Sequence, residues 1–152
     1  FLFQEKKRKW IIPLWASAVL AIIISYFLKI MIMRPRPFEA GIISVFLPAY
    51  YALGDFNAWN SSFPSFQAVL AFSAIPILSR EFKKFKFVWL AFACLIAFSR
   101  VYFGLHYASD VLFGAVIGYI IGYLVVGFEN RYLFGEKMAG LFNKGIKRMF
   151  KE

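Results

Sequence analysis

An imidazole followed four positions later by a carboxylate, His106 and Asp110, marks the stretch S-R-V-Y-F-G-L-H-Y-A-S-D that begins at Ser99. On one helix the two side chains share a face, and the carboxylate can accept the Nδ1 proton of the imidazole. Nε2 is then left as a nucleophile. Arg100, six residues before the histidine, adds a fixed positive charge. A histidine with an orienting acid and a nearby guanidinium suits covalent chemistry on an anion.

His106 is the chain's only histidine, and a lone histidine beside an apolar segment has a simpler interpretation. It is often a core or interfacial residue whose ring nitrogens are hydrogen-bonded. Asp110 argues against that interpretation, because a carboxylate in the first turn of a membrane helix is costly unless it is paired or faces a polar cavity. The stretch is therefore a candidate for function.

The composition is that of a membrane protein. Of 152 residues, 61% are hydrophobic and 21% aromatic, and the mean hydropathy is +0.65, which is well above the range of soluble domains. No Gly/Ser-rich or charged linker divides the chain, so we expect one membrane-embedded domain over residues 1–152. Cys94 has no partner cysteine, which argues against a disulfide framework and a zinc site, and we expect no metal.

Apolar runs predict an all-α fold, an integral membrane helical bundle with about four spanning helices. The runs are Trp10–Met33, Phe63–Leu78, Phe87–Phe98 and Ala108–Phe128. In the last run Gly114, Gly118 and Gly122 are spaced four apart on one helical face, as close helix packing requires.

The net charge of +10 is distributed in clusters between apolar runs, which is a topology signal and argues against a nucleic-acid partner. The clusters are residues 6–9, residues 80–86 and the basic residues from Arg131 onward. The positive-inside rule makes all three cytoplasmic. The remaining basic residues then lie at or near the opposite surface, where we expect an anion site; they are Lys29, Arg34, Arg36 and Arg100.

Two further segments have a membrane role in this interpretation. The loop of residues 38–62 is rich in aromatic side chains, which fit an aromatic belt at the interface or a lip that guides a lipid headgroup into the site. Residues 132–151 predict a cytoplasmic amphipathic helix that anchors the chain to the anionic leaflet. The chain opens on F-L-F before the first basic cluster, and we expect an upstream spanning segment to precede it.

Two more segments could contribute to an anion site. Lys29 is followed by Arg36 and Pro37 in K-I-M-I-M-R-P-R-P, where the prolines end the helix. Alone, Lys29 is explained by snorkelling to the interface. The run F-P-S-F-Q-A offers the Ser65 hydroxyl and backbone amides at a helix start, although Pro-Ser before a helix is also an ordinary cap.

In chain order, K-x6-R-P, P-S-x-x and S-R-x5-H-x3-D resemble the three-part signature of the type 2 phosphatidic acid phosphatase superfamily. The first and third parts match completely, and each lies at the outer end of an apolar run. The resemblance covers roughly Lys29 to Gly122. It implies an integral-membrane lipid phosphatase that is metal-independent, has no cofactor and works through a phosphohistidine intermediate.

The resemblance also implies roles for individual residues. His106 would attack phosphorus, and Asp110 would orient and charge-stabilise it. The phosphoryl oxygens would be bound by Lys29, Arg36, Ser65, the backbone amide of Phe66, and Arg100. Such a cage of positive donors favours a transition state whose charge is spread over three oxygens. Arg34 falls outside the signature, and we assign it to a second phosphate or the headgroup.

The second motif departs from the family. The family usually has P-S-G-H, whereas this chain has Pro64, Ser65, Phe66 and Gln67. Phe66 puts a bulky side chain where the backbone amide approaches the phosphate, although the amide survives. Gln67 takes the catalytic position of the expected general acid, and an amide cannot transfer a proton at neutral pH.

Three interpretations follow: a natural variant that still works, an inactivating engineered substitution, or a lipid-phosphate binding or carrier protein that lost turnover. A general acid contributes about 100-fold to 10,000-fold, so an enzyme survives its loss best with a good leaving group. We therefore favour a polyprenyl diphosphate or the lipid A 1-phosphate as substrate, with phosphatidylglycerol phosphate also possible. A structural subunit without an anion site is a further alternative.

The expected partners are a membrane lipid substrate and the bilayer, and the sequence does not define an oligomeric state. The charge asymmetry and the resemblance together predict a bacterial-type cytoplasmic (inner) membrane, crossed several times by the chain. The active site would then lie at the outer, periplasmic face.

Overall fold

The computed structural model describes residues 10–41, 61–133 and 137. These residues form four α-helices: α1 (Ile11–Ile32), α2 (Phe66–Glu81), α3 (Lys86–Tyr102) and α4 (Ala108–Tyr132). A 3₁₀ turn, Lys83–Phe85, joins α2 to α3. The described ranges contain no strand. The predicted all-α membrane bundle is therefore confirmed.

Three segments of the described chain are long and apolar enough to cross a membrane: α1 with 22 residues, Lys83–Tyr102 with 20 and α4 with 25. Their large apolar side chains are widely exposed, as a lipid-facing surface requires. The sequence predicts about four spans. The helix that is not among these three segments is α2. It has 16 residues, about 24 Å at 1.5 Å per residue, and it begins after Pro64 and Ser65.

α2 and α4 run parallel and pack closely through the glycines of α4. Gly114 lies against the Ser65 carbonyl, Gly118 against that of Val69, and Gly122 against that of Ser73. A Cβ atom built on Gly118 or Gly122 would overlap those carbonyl oxygens. The glycine face that the sequence predicts is thus a helix contact, and it holds α4 in one register against α2.

α2 is the central helix, because α1, α3 and α4 all pack against it. One core cluster joins Ala21, Val69 and Ile121, and a second joins Ala68, Ala97 and Val111. The small side chains let the backbones approach closely.

The helix directions bring four helix termini together at one end of the bundle. We call it the site end; it contains the C-termini of α1 and α3 and the N-termini of α2 and α4. The other end, which we call the opposite end, contains the residues 80–86 cluster and Arg131.

Several predictions fall outside the described residues. They concern the first basic cluster, most of the aromatic loop and nearly all of the predicted amphipathic segment 132–151. They stay predictions.

Candidate active site

Polar side chains are concentrated in the interior of the site end. Its buried polar residues are Lys29, Arg36, Ser61, Ser62, Ser65, His106 and Asp110. Burial of such groups costs free energy unless they are hydrogen-bonded or paired. Their partners therefore show what this end of the bundle is built to hold.

The end of α1 places two of the predicted phosphate-binding residues. Met33, in the left-handed conformation with φ 44°, closes the helix and donates its N–H to the Lys29 carbonyl at 3.0 Å. Lys29 is only 3% exposed, and its Nζ donates to the Ser61 carbonyl. It therefore does not snorkel to solvent. Arg36 follows in the turn, with its backbone N–H 2.7 Å from Glu39 Oε2.

His106 lies in the loop between α3 and α4, and not on α4, which begins at Ala108. Its Nδ1 is 2.7 Å from the Ser62 carbonyl oxygen and 3.9 Å from Asp110 Oδ2. A carbonyl can only accept, so Nδ1 carries the proton and Nε2 keeps its lone pair. The expected helical pairing and direct hydrogen bond to Asp110 are therefore wrong, because the Ser62 carbonyl takes that place.

Asp110 is fully buried and accepts hydrogen bonds from three segments. Arg34 Nη1 is 2.7 Å from Oδ1, and Ser62 Oγ is 2.5 Å from Oδ2. The backbone N–H of Tyr107 also donates to Oδ2, at 3.0 Å, as an acidic residue in a first helical turn commonly accepts. These donors occupy the carboxylate, which explains why the imidazole finds another acceptor.

Arg34 has internal partners. Besides Asp110, Nη1 donates to Ser109 Oγ at 2.9 Å, and the guanidinium carbon lies 3.9 Å from the centroid of the Tyr107 ring. We expected Arg34 at a second phosphate or a headgroup, and these contacts give that assignment no support. They place its charge on the carboxylate instead.

Arg100 completes the set of cations from the α3 side. It is half-buried, and its carbonyl accepts the backbone N–H groups of Leu105 at 3.1 Å and His106 at 3.3 Å. Burial, followed by the positive charges of Arg36 and Lys29, lowers the pKa of His106 to about 3. The imidazole is therefore neutral at physiological pH, which is its nucleophilic form.

The start of α2 supplies the second motif. Ser65 does not cap α2 through its side chain, so the ordinary-cap interpretation does not hold. Its N–H donates to the Asp110 carbonyl at 3.1 Å, which fixes the motif beside α4. Phe66 is half-buried and Gln67 is exposed in the first turn.

Within the described residues, the buried hydroxyls of Ser61 and Ser65 have no hydrogen-bond partner. An unsatisfied buried donor costs about 1–3 kcal/mol, so such groups favour a ligand that accepts their protons. An anion held by the neighbouring cations would do so. The same ranges contain no group of three or more His, Cys, Asp or Glu side chains that could hold a metal ion.

Sequence reasoning missed Ser61, Ser62 and Ser109. Two of them precede F-P-S, where serines are ordinary loop residues, and Ser62 acts partly through a backbone carbonyl that any residue carries. The available signal was the position of Ser61 and Ser62 directly before the second motif.

Comparison with known proteins identifies the family of the chain. The model of the PAP2 superfamily matches residues 10–133, and the chain belongs to that superfamily. Undecaprenyl-diphosphatase BcrC of Bacillus subtilis is 29% identical over 84% of this chain and 62% of its own length. An undecaprenyl-diphosphatase of Sulfolobus acidocaldarius is 30% identical over 85% of this chain and 60% of its own.

Phosphatidylglycerophosphatase B of Bacillus subtilis is 37% identical over 38% of this chain and 28% of its own length. The chain thus spans less than two thirds of the length of the curated relatives it matches. No solved structure matches it.

Proposed function

We propose that this chain carries the active site of a membrane lipid phosphatase with His106 as nucleophile. The observation that carries the proposal is the environment of that imidazole. It is buried, its Nδ1–H donates to the Ser62 carbonyl, and the cations Lys29 and Arg36 lie near enough to lower its pKa. A neutral imidazole beside fixed positive charges is suited to attack on a phosphoryl group.

In the first step, Nε2 attacks phosphorus and the bond from phosphorus to the leaving oxygen breaks as the N–P bond forms. Nδ1 keeps its proton, which stays hydrogen-bonded to the Ser62 carbonyl oxygen, so the imidazole gains positive charge. Lys29, Arg36 and Arg100 bind the equatorial oxygens, where charge is spread in the transition state. In the second step, water attacks phosphorus, the N–P bond breaks, and the neutral imidazole is restored as phosphate leaves with the water oxygen and its protons.

Gln67 bears on the substrate class. A lipid diphosphate releases a lipid monophosphate, which is a stable anion and needs no proton as it leaves. A phosphate monoester releases an alkoxide, which does need one. With glutamine where the family has its general acid, diphosphate lipids are favoured.

Two relatives named undecaprenyl-diphosphatase support a polyprenyl diphosphate as substrate. The lipid A 1-phosphate is a second candidate by the same leaving-group argument, since its departing group is an anomeric oxygen. Phosphatidylglycerol phosphate is the substrate class of one relative by its name, and it depends more on proton donation.

The proposed location is the outer, periplasmic face of a bacterial-type cytoplasmic membrane. The opposite end exposes Arg80, Lys83, Lys84, Lys86 and Arg131. Basic residues flanking spans favour the cytoplasmic side, which supports a site end facing outward.

The test is phosphate release by the purified chain, with a chelator and no added metal, from a polyprenyl diphosphate, lipid A, phosphatidylglycerol phosphate and phosphatidic acid. His106→Ala is the inactive variant, and Arg80→Gln at the opposite end is the matched control. We expect release fastest from the diphosphate, lost in His106→Ala and kept in Arg80→Gln. Binding of vanadate without release from any lipid would favour a non-catalytic lipid-phosphate binder.

A trapped phosphoryl-enzyme would test the intermediate separately. Brief reaction with a ³²P-labelled diphosphate lipid, followed by quenching, is expected to label the wild type at His106. An unlabelled chain that still releases phosphate would argue for direct attack by water.

A further inference from the structure

Ser62 occupies the centre of the contacts around His106. Its N–H donates to the Arg34 carbonyl at 2.8 Å, its Oγ donates to Asp110 at 2.5 Å, and its carbonyl accepts from His106 Nδ1 at 2.7 Å. All three polar groups of this residue are engaged, and it is fully buried. Such a residue has little freedom to move.

Arg34 reaches the same cluster from two directions. Its carbonyl holds the Ser62 backbone, and its Nη1 bridges Asp110 Oδ1 and Ser109 Oγ. The guanidinium also lies over the Tyr107 ring, with its carbon 3.9 Å from the centroid, which is a cation–π contact. A lysine keeps the charge but lacks the planar guanidinium with its several N–H donors.

Asp110 therefore acts on His106 indirectly. The carboxylate fixes the Ser62 hydroxyl, the hydroxyl fixes the Ser62 main chain, and the main-chain carbonyl orients the imidazole. At 3.9 Å from Nδ1, Asp110 Oδ2 is outside hydrogen-bond range. Arg34 compensates the charge of the buried carboxylate, without which the ionised form would be costly.

We propose that Arg34 and Ser62 are positioning residues that hold the His106 imidazole with Nδ1 protonated and Nε2 available. Arg34, Ser62 and Asp110 form one clasp, and Asp110 serves the nucleophile through Ser62. The effect on turnover rests on the proposed function. The effect on the imidazole does not, because the tautomer can be measured without any reaction.

Because the chain has a single histidine, every imidazole signal in that measurement comes from His106. The chain is produced with ¹⁵N-labelled histidine, without a histidine tag, and its ring nitrogens are recorded by NMR in detergent at pH 7. We expect one tautomer in the wild type, protonated at Nδ1. Ser62→Ala and Arg34→Gln are expected to give a mixture of tautomers.

Matched controls separate positioning from general loss of structure. Ser17→Ala removes an equally buried hydroxyl that bonds the Leu14 carbonyl within α1, and Arg80→Gln removes an exposed arginine from the opposite end. Both are expected to keep the wild-type spectrum. Ser62→Thr, which keeps the hydroxyl, and Arg34→Lys, which keeps the charge, are expected to restore part of it, and they serve as folded variants if the first pair does not fold.

Kinetics on a polyprenyl diphosphate give the second readout. We expect Ser62→Ala and Arg34→Gln to lower kcat about 10- to 100-fold, the effect of losing a hydrogen bond to a charged group. KM is expected to change less than about 3-fold, because the proposal gives the clasp a positioning role and no contact with the substrate.

A wild-type imidazole protonated at Nε2 would overturn the proposal. So would spectra and kcat values in Ser62→Ala and Arg34→Gln that match those of Ser17→Ala and Arg80→Gln. An Nδ1-protonated wild type that loses this preference in the variants, but releases no phosphate from any lipid, would support the clasp and contradict the proposed function. The two ideas therefore fail separately.

Discussion

The two ends of the bundle hold the same kinds of charged side chain in different surroundings. At the site end, Lys29 and Arg36 are 3% and 9% exposed and have defined partners. At the opposite end, Arg80 and the lysines of residues 83–86 are exposed. A charge in a low-dielectric interior acts on its neighbours far more strongly than one in water. Burial with partners, and not the number of charges, distinguishes the site end.

Cavity size does not distinguish the site end either. A cavity of about 720 Å³ lies between α1 and α4 toward the opposite end, with walls that include Leu20, Tyr123 and Phe128. These side chains are exposed and apolar, as membrane-facing residues are. The site end is distinguished instead by its buried hydroxyls and charges.

The difference between the two ends can be tested by neutralising one cation at each end. Arg36→Gln is expected to lower kcat/KM about 100- to 1,000-fold, the usual cost of removing one donor to transition-state charge. Lys84→Gln, which changes an exposed side chain, is expected to stay within about 2-fold. Both are measured on a polyprenyl diphosphate. Equal losses at the two ends would contradict the distinction.

A proton donor can be restored at one end of α2. Gln67→His is expected to speed hydrolysis of phosphatidylglycerol phosphate by about 10-fold or more, since a general acid helps the poorer leaving group. Hydrolysis of the diphosphate is expected to change much less. Arg80→His, at the other end of the same helix, is the control. A gain in both variants would show that the new histidine does not act in the site.

The packing beneath the site end can be tested with two glycines of α4. Gly118→Ala forces a Cβ atom onto the Val69 carbonyl, so we expect destabilisation of about 1–3 kcal/mol. Gly127→Ala meets nothing within 4 Å and is expected to be neutral or stabilising by up to about 1 kcal/mol. Unfolding in detergent measures both. Similar unfolding curves would argue against the close contact of α2 and α4.

The last prediction is that the titration of His106 leaves kcat/KM unchanged in mild acid. Because burial and neighbouring positive charges lower the pKa of His106 to about 3, the neutral nucleophile persists through mild acid. We expect kcat/KM to show no break from His106 between pH 5 and 7. Arg36→Gln removes one of those charges and moves the break upward. A break near pH 6.5 in the wild type would contradict the buried, neutral imidazole.

The same shift affects stability, with a defined sign. Below about pH 6.5 the unfolded chain protonates this histidine, whereas the folded chain does not until about pH 3. The native state therefore loses stability as pH falls through that window. His106→Gln is expected to weaken this part of the pH dependence of unfolding.

Much of the fold follows from the sequence because apolar runs and the glycine spacing depend on local pattern. The alternating helix directions then bring Lys29, Arg36, His106 and Asp110 to one end. The predicted helical pairing of His106 with Asp110 is wrong, because His106 is not on α4. The loop turns at Gly104, with φ 65°, and leaves His106 ahead of α4.

The role of Ser62 illustrates why the rest of the site escapes sequence reasoning. Its contact with His106 uses a backbone carbonyl, which every residue type supplies, so no pattern of side chains encodes it. Arg34 escaped for a related reason. Its carboxylate partner is 76 residues away in the chain, and only the packing of α1 and α4 brings the two together.

The glycines of α4 that contact α2 repeat every four residues. Such a repeat allows α4 to pack against α2 in more than one alignment. Sliding α4 by one period along α2, about 6 Å, would again set glycines against α2. The polar contacts at the site end do not repeat, because the Ser65 N–H meets the Asp110 carbonyl in the native alignment. Asp110 therefore has a second role besides the proposed positioning of His106, because its carbonyl also fixes the alignment of α2 with α4. Under the proposed function, selection for activity is then also selection for the correct assembly of the two helices.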